Sequence, residues 1–181
     1  MVGLDYTYLG EAEDASPVLV GKDSKHRWFY AMVMPTKGVG HPWCVKALVQ
    51  QLSLAGHRRL VLRSDGEHSI MALKTQVVAE LSRDHGVEVV PEESAVGDSQ
   101  GNGLAEQAAR EVKAKVRSLR LQAEELHGRP LRPDHPCLPW MVDFAAMSIN
   151  IGRRGVDGRT AWELRHGRSC KRARWPYSAS G

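Results

Sequence analysis

Cysteine is scarce in this 181-residue chain, with three residues (Cys44, Cys137 and Cys170) and no CxxC pair among them. So few, so widely spaced, they exclude a disulfide framework and suggest a reducing compartment. Long apolar runs are missing as well. No stretch approaches the roughly 18 residues of a membrane-spanning helix, and no charged-then-apolar leader opens the chain. The expectation is an intracellular protein, nuclear or cytoplasmic, with no membrane partner. Internal repeats are absent. So is a strong excess of one charge, since 25 Lys and Arg against 21 Asp and Glu leave a net charge of +4. Of the eight histidines, His127 and His135 come closest, with Cys137, to a metal cluster, but their spacing fits no standard zinc pattern.

What is present is an ordinary globular composition, 42% hydrophobic and 25% charged, long enough to bury one sizeable core. The basic residues are unevenly placed. Arg165, Arg168, Lys171, Arg172 and Arg174 crowd the C-terminus, and seven Lys or Arg fall between positions 110 and 132. Clusters of this kind are usually solvated surface, and they are also the footprint of phosphate binding.

The apolar patterning predicts three successive strands (2–9, 18–20 and 27–34), the last two joined by the polar turn Asp23-Ser24-Lys25-His26. A helix over 42–55 stops at Gly56, and a compact strand over 59–63 ends at Ser64-Asp65-Gly66. A second helix follows over 70–85, then a fifth strand over 87–90 that Pro91 is expected to break. The loop from Pro91 to Gly101 reads as mobile. The chain then enters a long amphipathic helix reaching about residue 126, and a proline-rich link leads to a last helix over 140–151. The order βββαβαβα with one C-terminal helix predicts an α/β protein with a mixed five-stranded sheet flanked by helices, the order of the ribonuclease H-like fold. A single domain over 1–168 would be followed by a basic tail over 169–181, read as disordered.

Three carboxylates fall at junctions where such a sheet would place chemistry. Asp5 lies in the first strand, Asp65 ends the fourth, and Glu106 lies in the first turn of the long helix. Strands one and four are neighbours in this arrangement, so the two aspartates can approach closely. Clustered carboxylates raise one another's pKa, and a hard divalent cation such as Mg²⁺ relieves the repulsion. Each residue also has a plainer role. An Asp before Gly suits a turn, and a Glu in a first helical turn favours the helix dipole.

The long helix has two faces. Ala105, Ala108, Val112, Val116 and Leu119 form the apolar side; Glu106, Arg110, Lys113, Arg117 and Arg120 form the other, whose cations lack acidic partners on that face. Arg110, Lys113 and Arg117 are therefore candidates for phosphate contact. Gln100 and Asn102, in the glycine-rich segment before the helix, either touch DNA or orient the loop. Trp140, Phe144, Met147 and Trp162 read as core or dimer surface.

These segments resemble the catalytic core of retroviral and LTR-retrotransposon integrases, of copia and gypsy kind, over roughly residues 2–168. The carrying stretches are LDYT at 4–7, VLVGKDSKHRW at 18–28, RSDGE at 63–67, SQGNGLAEQAAREVK at 99–113, and the tryptophan helix with its continuation at 138–168. The resemblance implies that Asp5, Asp65 and Glu106 form a metal-binding triad for Mg²⁺ or Mn²⁺. It implies end-processing and strand transfer of element DNA into target DNA, and a homo-oligomer. Departures are a longer spacing between Asp65 and Glu106, with 40 intervening residues, Gln107 in place of the usual Arg, and Ala161 where Pro is expected. With Met1 only four residues before Asp5, no room is expected for the family's N-terminal zinc-binding domain, and the stretch after 168 is short for a further DNA-binding domain. A fragment or decayed polyprotein copy is the corresponding expectation. Two alternatives stay open: a nuclease of the same fold that only hydrolyses, and a non-catalytic nucleic-acid-binding remnant.

Overall fold

Alternating side chains on the first three strands sort the molecule into layers. β1 (Val2–Thr7), β2 (Val18–Asp23) and β3 (Phe29–Val33) form an antiparallel meander. The chain then crosses through α1 (Pro42–Ser53) to β4 (Arg59–Ser64), and through α2 (His68–His85) to β5 (Glu88–Glu93). Both crossovers give parallel pairing, β1 with β4 and β4 with β5, so the sheet order is β3-β2-β1-β4-β5. Three helices complete the chain: α3 (Gly103–His127), α4 (Cys137–Gly152) and α5 (Ala161–His166). The computed structural model describes residues 1–9, 16–94, 102–132 and 135–171.

One sheet face carries Val2, Leu4, Tyr6, Leu19, Tyr30 and Met32, packed under Val45, Leu48 and Leu52 of α1 and Ile70, Leu73, Val77 and Leu81 of α2. The opposite face carries Val18, Val20, Phe29 and Ala31, covered by Ala108, Val112 and Val116 of α3 and Val142, Ala145 and Ala146 of α4. The pleat's period of two therefore sends Gly3 and Asp5 toward the α3 side while Leu4 faces α1 and α2. This is the mixed sheet flanked by helices that the apolar patterning predicts.

Three details differ from the sequence expectation. Pro91 lies inside β5 rather than ending it, because β5 is an edge strand and an edge tolerates a residue without an N–H. The last helix is two: α4 starts at Cys137, and the six-residue α5 follows. It is too short to show a period but is closed by a Thr160–Glu163 capping box. The row of cations on α3 is not wholly without partners, since Arg120 pairs with Glu124 at 2.8 Å and also donates to the Leu131 carbonyl. The expected loop mobility after Pro91 falls mostly on 95–101, outside the described residues, as does most of the basic tail.

The edge of the meander is capped at its first residue by a side chain. Asn150 of α4 is buried; its Oδ1 accepts from the Phe29 N–H at 2.7 Å and its Nδ2 donates to the Phe29 carbonyl at 2.9 Å. It pairs with β3 as a neighbouring strand would.

Candidate active site

Parallel pairing fixes the positions of the two aspartates. Gly3 of β1 stands opposite Arg63 of β4, and carrying that register two residues on brings Asp5 level with Asp65. Both strands run toward this end, so two acids from distant parts of the sequence share one edge of the layer. Asp5 is half-buried, and its carboxyl is raised to about 6, first by burial and then by the charge of Asp65, with Glu67 adding to it. The Tyr6 amide donating to Asp5 Oδ1 at 2.7 Å, together with Lys37, pulls the other way without prevailing. An acid in this state is short of positive charge.

Glu67 and Lys37 are part of this group and were not singled out from the sequence. Lys37 donates to Glu67 Oε1 at 2.7 Å, as Ser69 does at 2.6 Å, and its ammonium lies over the Tyr6 and Tyr8 rings. Glu67 is thus already neutralised, whereas no cation is bonded to Asp5 or Asp65 among the described residues. Asp65 Oδ1 instead accepts from the Glu67 amide at 3.3 Å. Behind it, the buried Lys74 of α2 donates to Ser64 Oγ at 3.1 Å and to the Glu92 carbonyl at 2.6 Å, tying the end of β4 to β5. The RSDGE segment held the signal for Glu67; Lys37, thirty positions earlier, gave none.

The start of α3 is pressed onto β1. A Cβ added at Gly3 would lie 3.1 Å from Leu104 Cβ and 3.3 Å from the Ala105 amide nitrogen, so only glycine permits this approach without displacement. Asn102 is buried, donates from Nδ2 to the Leu4 carbonyl at 3.4 Å, and accepts the Ala105 and Glu106 amides on its own carbonyl at 2.9 and 3.1 Å. It joins the helix to the strand one residue before Asp5. Glu106 follows in the first turn and is exposed. The structure therefore brings Asp5 and Asp65 together, and it sets the first turn of α3, which carries Glu106, against β1.

Of the candidate phosphate contacts, Arg110 and Arg117 are exposed and Lys113 is half-buried, all three without an ion pair among the described residues. Gln100 lies outside the described residues. A second group of cations, invisible in sequence spacing, lines a cavity of about 360 Å³ beside Gln107: Lys22, Arg27, Arg153 and Arg154. Lys22 donates to Gln107 Oε1 at 2.8 Å, and Arg153 pairs with Glu111. Trp140 is 57% exposed and stacks on Phe144, while Met147 and Trp162 pack on the core. His127 is exposed, and His135 Nδ1 lies 2.9 Å from Cys137 Sγ, so these three do not form a cluster.

No protein-family model matches the sequence, and no curated protein matches it. Solved structures do. The catalytic core domain of BIV integrase aligns over 91% of this chain and 91% of its own, with 18% identity and a TM-score of 0.59. The HTLV-2 integrase catalytic core domain in complex with magnesium aligns over 91% of this chain and 95% of its own, at 16% identity and a TM-score of 0.64. In the simian T-cell lymphotropic virus intasome, in complex with PP2A regulatory subunit B56 gamma, 57% of the matched chain is covered by 98% of this one, at 12% identity and a TM-score of 0.66. The chain has the ribonuclease H-like fold of retroviral integrase catalytic cores.

Proposed function

We propose that this chain is a metal-dependent polynucleotidyl transferase of integrase type, which processes DNA ends and joins them to a second DNA. One observation carries the reading: β1 and β4 set Asp5 level with Asp65, where burial and the neighbouring charge resist ionisation of Asp5 and a divalent cation would relieve both. Asp5 and Asp65 would hold the ion, with Glu106 as third carboxylate, and an all-oxygen donor set favours Mg²⁺ or Mn²⁺. Divalent ions so held activate an attacking oxygen and stabilise a departing one in phosphoryl transfer. The protein's own residues supply the positioning. Asn102 anchors the helix that carries Glu106, Lys37 keeps Glu67 occupied, and Arg110, Lys113 and Arg117 neutralise backbone phosphates along the exposed face. The magnesium in the HTLV-2 core supports the choice of ion, and the trimeric and dimeric forms in which that core was solved support action as a homo-oligomer. The LDYT, RSDGE and SQGNGLAEQ segments support an origin in a retroelement.

The test is incubation of the full chain with a labelled duplex end and a supercoiled plasmid in Mg²⁺ or Mn²⁺. Joined products are expected, and they should vanish in Asp5→Asn, Asp65→Asn and Glu106→Gln. Hydrolysis without joining would identify a nuclease instead. A chain that binds DNA but is inert in both metals would be a non-catalytic remnant.

A further inference from the structure

At the other end of the sheet, on the opposite face from the aspartate pair, three ligand-type side chains converge. Asp23 closes β2, fully buried; His26 lies in the β2–β3 turn; His57 sits between α1 and β4. Asp23 Oδ2 is 2.8 Å from His26 Nδ1 and 2.9 Å from His57 Nε2, and one ligand atom from each of the three residues lies within 4.8 Å of the others. The two imidazoles stack with centroids 5.1 Å apart. The surroundings hold this geometry. Asp23 Oδ1 accepts the Lys25 amide at 2.9 Å, the Asp23 amide donates to the Trp28 carbonyl, and the Ser24 amide donates to the Met1 carbonyl. Arg27, in the left-handed region at φ 57°, turns the chain directly after His26, and its guanidinium is fixed by Asp157 and the Arg159 carbonyl. His57 is buried, and His26 keeps an edge open to solvent.

We infer that Asp23, His26 and His57 form a binding site for a late first-row transition-metal ion of the Zn²⁺ class, separate from the acidic pair that ends β1 and β4. Two imidazole nitrogens and one carboxylate oxygen are a donor set that such ions favour and that Mg²⁺ does not. Tetrahedral bonds of about 2.0–2.1 Å place ligand atoms roughly 3.3 Å apart, so the two nitrogens would draw back by about half an ångström from the oxygen they now contact and settle at a similar distance from each other, within the 4.8 Å that now bounds the three ligand atoms. The ion would clip the β2–β3 turn to the α1–β4 connection. It would stabilise the fold without entering any reaction at Asp5 and Asp65, whatever that reaction is.

The experiment uses the full chain, stripped of metal with a chelator, in an Asp5→Asn/Asp65→Asn background so that the acidic pair contributes no binding. Titration with Co²⁺ as a spectroscopic substitute is expected to give one equivalent of visible d–d absorption, displaced by Zn²⁺ and not by excess Mg²⁺. His26→Ala and His57→Ala should each weaken binding at least tenfold, with circular dichroism confirming the fold. If His57→Ala fails to fold, the turn variant His26→Ala decides alone. Absence of Co²⁺ absorption, or binding that survives His26→Ala, overturns the proposal, and the cluster is then a hydrogen-bonded clip.

Discussion

Asp5 is where single-residue energetics and chemistry meet. Its carboxyl, near 6 in the fold and about 4 in the unfolded chain, binds its proton more tightly when folded. Stability that the protonated form retains below about pH 4 is therefore lost as pH rises through 4 to 6. In metal-free protein, Asp5→Asn is expected to be more stable than wild type at pH 7.5, by about 1 kcal/mol after allowing for its partial exposure, with the gap much reduced at pH 4.5. Thermal melts in chelator at the two pH values check this. Asn150 has the opposite character, being needed for the fold alone. Asn150→Ala leaves the Phe29 N–H and carbonyl without their partner, and the expected loss is about 2 kcal/mol, read as a shifted urea midpoint at constant slope. Asp5 and Asp65 were legible because the strand they sit in or end is legible. Asp23, His26 and His57 were not. The first two read as a polar turn, and His57 lies 31 positions beyond His26 in a connection without a pattern. Only the order β2-β1-β4 brings the two segments together.

Among elements, α3 is the most legible and the most consequential. Its apolar stripe predicted the buried set Ala105, Ala108, Val112 and Val116, and its glycine stop at 128 holds at φ 65°. The charged face is exposed at Glu106, Arg110 and Arg117 but half-buried at Lys113 and Arg120, and it is only partly unpaired, because Glu124, which pairs with Arg120, lies one turn on along the same helix. The remaining cations are expected to act on phosphates in any sequence. Arg110→Ala and Lys113→Ala should each weaken binding uniformly across DNA sequences and flatten the dependence of log affinity on log salt by about one unit of slope. Anisotropy titrations at several salt concentrations measure this. A variant that changes affinity at one salt but leaves the slope unaltered would remove that residue from the phosphate contacts. α5 and the full length of β5 escaped the sequence reading for different reasons: one is shorter than two helical turns, the other carries a proline that only its edge position excuses.

At the scale of the whole molecule, two apolar clusters share one sheet, with β2 and β3 contributing alternate residues to both. Neither layer can open without exposing the other, so a single cooperative transition is expected. Unfolding followed by far-ultraviolet and by near-ultraviolet circular dichroism should give coincident curves. Both ends of the sheet are also guarded. On one side the Asn150 amide occupies the outward-facing groups of Phe29; on the other, β5 presents Pro91, which has no N–H to offer, among the acids Glu88, Glu92 and Glu93. A second copy has no free rung on which to lay a strand at these positions. Strand addition at either edge would have to begin away from Phe29 and Pro91, which disfavours open-ended ribbon growth.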